Sequence, residues 1–87
     1  MIQSLFLAPQ LAIGHYSVIA YDIKSGSVLA IKKNETLTTE NMYQDFDDYA
    51  NAYNFVNEKI KQNPSVEYTI YDHEGHAMLT KSFFGER

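Results

Sequence analysis

The sequence predicts a small α+β domain in which one helix lies across a four-stranded antiparallel sheet, in the order ββαββ. Three observations carry this. Two stretches rich in β-branched and aromatic residues each break at an Asp and a Gly, and between them an eighteen-residue segment changes to helical spacing. An apolar arm, residues 1–14, precedes the first hairpin. With 87 residues the chain is large enough for one core and too short for two.

The arm contains Leu5-Phe6-Leu7-Ala8-Pro9-Gln10-Leu11-Ala12-Ile13-Gly14. Pro9 and Gln10 interrupt it well short of the roughly 20 apolar residues that cross a bilayer. No Lys or Arg occurs before Lys24, so the positive start of a signal peptide is missing and a cytoplasmic protein without membrane contact is expected. The arm is read as an extra strand or extended cover, kinked at Pro9.

The first hairpin spans 15–33. Its runs Tyr16 to Tyr21 and Ser27 to Lys32 flank Asp22-Ile23-Lys24-Ser25-Gly26. The second spans 65–84, where Val66 to Tyr71 turns at Asp72-His73-Glu74-Gly75 into His76 to Lys81. In both turns the Asp carboxylate is placed to accept backbone N–H groups, and the Gly supplies a positive φ.

The helix is expected over 45–62, because Phe46, Tyr49, Tyr53, Val56 and Ile60 recur at intervals of three and four. Asp45, Asp47 and Asp48 stand at its start and Lys59 and Lys61 near its end, the order that the helix dipole favours. Pro64 disfavours helical backbone at Asn63 and so ends it. Thr38 or Thr39 would cap a longer version that places Met42 on the face of Phe46.

Layout and the stretch Val66 to Gly85, with the Asp72-His73-Glu74-Gly75 turn and the trailing Ser82-Phe83-Phe84-Gly85, resemble small uncharacterised bacterial proteins of ββαββ arrangement. By layout the likeness covers roughly residues 15–85, and by motif a turn and a tail. The chain departs from that pattern in lacking a Trp on the first hairpin and in carrying the arm. The resemblance implies a fold and no activity.

Several chemistries are excluded or disfavoured by residue type. Cysteine is absent, which removes disulfides, thiolate catalysis and cysteine zinc sites. A net charge of −4 repels phosphate backbones, so nucleic acid is not an expected partner. Ser17, Ser25, Ser27 and Ser65 lie in no nucleophile elbow, and the four glycines form no phosphate loop. Asp45-Phe46-Asp47-Asp48 begins like a calcium loop, but Ala50 and Val56 stand where that loop needs Gly and a bidentate Glu. The run Asp72-His73-Glu74-Gly75-His76 holds two imidazoles and two carboxylates. Because its histidines straddle a hairpin tip, it is read as solvated turn residues with adventitious metal affinity at His73 and His76. No catalytic, cofactor or metal residue is assigned, and the protein is expected not to be an enzyme.

Contact surface is the positive signal. At 100° per residue Phe55 projects about 140° from the centre of the apolar stripe, onto a polar face, which marks it as an interface anchor. Tyr71 and Met78 mark the sheet face turned away from the helix. The expected function is therefore a self-associating interaction module, with itself (a homodimer) or another protein as partner. The alternative is an acidic inhibitor or immunity-like protein that masks a basic site, using Glu40, Asp45, Asp47, Asp48 and Glu58, since no basic residue occurs from Met42 to Glu58.

Overall fold

A computed structural model describes residues 11–31 and 42–86. Its elements are β1 (Tyr16–Asp22), β2 (Val28–Leu29), β3 (Gln44–Phe46), α1 (Tyr49–Gln62), β4 (Val66–Tyr71), β5 (Ala77–Ser82) and β6 (Gly85–Glu86). The α+β class and the antiparallel sheet agree with the sequence reading. The expected four strands and ββαββ order do not, because β3 and β6 are added.

The sheet runs β2-β1-β4-β5-β6, and β3 also pairs with β1. The two short strands β2 and β3 share one edge of β1. Val28 and Leu29 face Tyr21 and Ala20, whereas Gln44 to Phe46 face Val18 to Tyr16. Strand β4 lies at the centre, paired along its length with β1 and β5.

The extra strand β3 also corrects the helix. Asp45 and Phe46 are extended and hydrogen-bonded to β1, so α1 begins at Tyr49 rather than at 45. Its cap is Asp48, which has extended backbone and accepts the Asn51 N–H at 2.8 Å; this bond satisfies one of the amides left unpaired at any helix start. Thr38 and Thr39 lie outside the described residues. The other end is as expected: Lys59 and Lys61 occupy the last turn, and Asn63 donates its backbone N–H to the Lys59 carbonyl at 2.9 Å before Pro64.

Ala52, Val56 and Ile60 of α1 pack on Val18 and Ala20 of β1 and Tyr68 and Ile70 of β4, together with Ile31. Phe46, displaced from the helix, still reaches this core from β3. Lys81 of β5 ties the layers at the border, donating to Asn57 Oδ1 at 2.6 Å and Tyr53 Oη at 3.3 Å, and pairing with Glu86 of β6 at 3.4 Å.

A second cluster fills the opposite face of the sheet. Ile19, Met42 and Tyr71 are buried there, with Tyr21, Val28 and Tyr43 against them. Met42 is thus on the far side of the sheet from the helix face expected for it. The Tyr21 and Tyr71 hydroxyls share a hydrogen bond of 2.6 Å, and Thr69 Oγ1 meets Thr80 Oγ1 at 3.0 Å.

Residues 1–10 of the arm, and 32–33 of the first hairpin, lie outside the described residues. Leu11 donates its N–H to the His73 carbonyl at 3.3 Å, and residues 11–14 form no strand. Among the described residues no helix is long and apolar enough to cross a membrane.

On β1, Ser17 is fully buried, and its Oγ has no hydrogen-bond partner among the described residues. A buried hydroxyl without a partner carries an uncompensated desolvation cost. Ser17→Ala is therefore expected to stabilise the fold by about 1 kcal/mol, read as an upward shift of the urea midpoint at unchanged slope. A lower midpoint would show that the hydroxyl is satisfied in solution.

Candidate interaction surface

The five residues marked as interface candidates are scattered. Phe55 is half-buried: β3 brings Phe46 beneath it at a ring separation of 5.1 Å, and the Lys59 ammonium lies 5.5 Å over its ring. Strand β3 covers this side of the helix, so Phe55 is not the exposed anchor that the helical projection predicts. Tyr71 is also corrected, being 8% exposed inside the second cluster. Met78 is 52% exposed on β5. Asp47 is exposed, and Asp48 is engaged as the helix cap. Asp45 accepts from His15 Nδ1 at 3.0 Å, which engages a second carboxylate of the acidic run. Glu40 lies outside the described residues.

Three loops instead build an apolar end on the molecule. Asp22 shapes the first: its carboxylate accepts the Ser25 N–H at 2.9 Å, its carbonyl accepts the Gly26 N–H at 2.7 Å, and Gly26 takes φ 74°. The bond from Ser25 holds the Asp22 carboxyl below its ordinary pKa. Ile23 is thereby presented outward, and its N–H donates to the Ser65 carbonyl at 3.1 Å, joining this loop to the turn after α1. The third loop links β5 to β6. There the Phe84 N–H donates to Ser82 Oγ at 3.1 Å, and Phe83 and Phe84 meet edge to face at 5.5 Å.

Ile23, Lys24, Pro64, Ser65 and Phe84 line an open, mostly apolar recess of about 360 Å³. Beside it Phe83 is 59% exposed, and Phe84, although it lines the recess, is 77% exposed. Phenyl rings at this exposure cost solvation free energy that burial against a partner recovers, at roughly 25 cal/mol per Å². Phe83 and Phe84 stand out in the sequence as a pair, whereas Ile23, a single apolar residue inside a polar turn, carries no periodic signal.

Two further features lie elsewhere. A shallow groove of about 290 Å³ on the second sheet face is lined by Tyr21, Gly26, Glu67, Thr69, Tyr71, Ala77 and Thr80. Burial, and then the hydrogen bond with Tyr21, hold the Tyr71 hydroxyl well above the ordinary phenol pKa.

At the β4–β5 turn, Asp72 Oδ1 accepts the N–H groups of His76 at 2.8 Å and Glu74 at 2.9 Å. Gly75 closes the turn at φ 89°, donating to the Asp72 carbonyl at 3.0 Å. The His76 N–H, and then that of Glu74, hold the Asp72 carboxyl below its ordinary pKa.

Of the serines weighed as nucleophiles, Ser17 is buried and Ser25 Oγ accepts the Ser27 N–H at 3.2 Å. Comparison with protein-family models, curated proteins and solved structures finds no match for this chain.

Proposed function

We propose that the protein is a small non-enzymatic interaction module that pairs with a second copy of itself through the sheet end carrying Phe83 and Phe84. The supporting observation is that a projecting ring and an apolar recess stand side by side on this end. Phe83 projects, while Ile23, Pro64 and Phe84 line the hollow next to it. A knob beside a hole is self-complementary under a two-fold axis: each copy places Phe83 in the other's recess, and one patch serves both sides.

Light scattering over a concentration series tests this directly. The expected mass rises toward about 20 kDa, twice the 10.0 kDa chain. Phe83→Asp and Phe84→Asp are each expected to return it to the monomer value, with circular dichroism unchanged because both rings lie outside the two cores. A monomer at every concentration overturns the self-association. A dimer that survives both substitutions overturns this surface.

A further inference from the structure

We propose that the tip of the β4–β5 hairpin is a binding site for a divalent transition metal such as zinc, held by Asp72, Glu74 and His76. Spacing along the chain predicts only solvated turn residues here, because the histidines straddle a hairpin tip. Folding changes that: one ligand atom from each of the three side chains lies within 4.8 Å of the others. His76 Nδ1 is 3.2 Å from Asp72 Oδ2 and 3.7 Å from Glu74 Oε1. Ligands bound at about 2.1 Å from one metal ion stand about 3.0–3.4 Å apart in octahedral or tetrahedral geometry; the 3.2 Å pair already matches this, and the remaining separations, 3.7 Å and at most 4.8 Å, close to it by rotation of the exposed Glu74 side chain.

The turn itself creates the convergence. Asp72 spends Oδ1 on the two backbone amides, which leaves Oδ2 directed at His76. Those same bonds draw residues 74 and 76 back over residue 72, while Gly75 supplies the left-handed step that reverses the chain. The Leu11 N–H on the His73 carbonyl braces the outer side of the turn.

Charge argues for a cation beyond the imidazole. Two carboxylates approach one imidazole nitrogen, which donates a single proton and carries at most one positive charge. Among the described residues no lysine or arginine bridges to Asp72 or Glu74; Lys81 pairs with Glu86. A divalent ion at this point replaces that proton and balances both carboxylates. The ligand set of nitrogen and oxygen without sulfur suits zinc and its first-row neighbours. His73 Nε2 stands 3.9 Å from Glu74 Oε2, outside the group of three.

Zinc titration by calorimetry on the full chain, with the histidine ring nitrogens followed by NMR, tests the site. One zinc ion per chain is expected, with the Nδ1 resonance of His76 shifting as it saturates. His76→Ala and Glu74→Gln should each weaken binding about tenfold or more, and neither removes the Asp72 bonds that shape the turn. His15→Ala should leave the affinity unchanged, since His15 faces one carboxylate residue, Asp45. Absence of saturable binding overturns the proposal. So does equal affinity in His76→Ala, or an equal loss in His15→Ala.

Discussion

Ile70→Ala is expected to remove about 2–5 kcal/mol of folding stability, a large part of the roughly 5–15 kcal/mol available to a domain of this kind. Ile70 is fully buried on β4, the central strand, between Val18 of β1 and Leu79 of β5. The helix packs over it, so truncation leaves a cavity that neither neighbouring strand can close without breaking its own pairing. With a urea slope of about 1.5 kcal/mol per M, the midpoint should fall by roughly 2 M. Ile13, 87% exposed, provides the contrast: Ile13→Ala should change stability by less than about 0.5 kcal/mol. Equal effects from the two substitutions would contradict the placement of β4 in the core.

A second large effect is expected in alkali. Tyr71 and Tyr68 are held above the ordinary phenol pKa of 10.0 chiefly by burial, as is Tyr49. Below that value both the folded and the unfolded chain keep these protons, and stability does not depend on them. As pH rises past it, the unfolded chain loses protons that the folded chain retains, so the unfolded state gains and stability falls. Tyr71, the most strongly shifted, contributes a slope approaching about 1.4 kcal/mol per pH unit, and Tyr68 and Tyr49 add to it with the same sign. Urea denaturation between about pH 9 and 11 should show this decline. Tyr71→Phe should make the slope shallower, although it lowers the plateau by removing the bond to Tyr21. An unchanged slope in Tyr71→Phe would mean that Tyr71 ionises in the folded state as readily as in the unfolded one.

The proposed interaction surface and the proposed metal site draw on different parts of the same small sheet. Phe83 and Phe84 follow the end of β5, whereas Asp72, Glu74 and His76 precede its start. A six-residue strand separates them, so each is open to mutation without disturbing the other.

Features set by near neighbours in the chain were legible in the sequence. The Asp and Gly of each hairpin loop act within five residues, and their hydrogen bonds are those the sequence led one to expect. The helix stops at Asn63 because of the adjoining Pro64, and Val56 and Ile60 face the core because their spacing matches the helical period. Tertiary structure decided the remainder. Phe46 satisfies the helical period as well as it satisfies a strand. What placed it in β3 is backbone pairing with Tyr16, thirty residues earlier, and no local pattern records that pairing. That displacement moved the helix start to Tyr49 and covered Phe55. Tyr71 and Ile19 alternate onto the face opposite the helix, and their burial depends on Met42 and Tyr43 arriving there from a distant segment. At the hairpin tip the order of residues fixes which carboxylates and imidazoles are at hand. The folded turn decided that three of them meet, because convergence depends on directions in space that spacing along a chain does not specify.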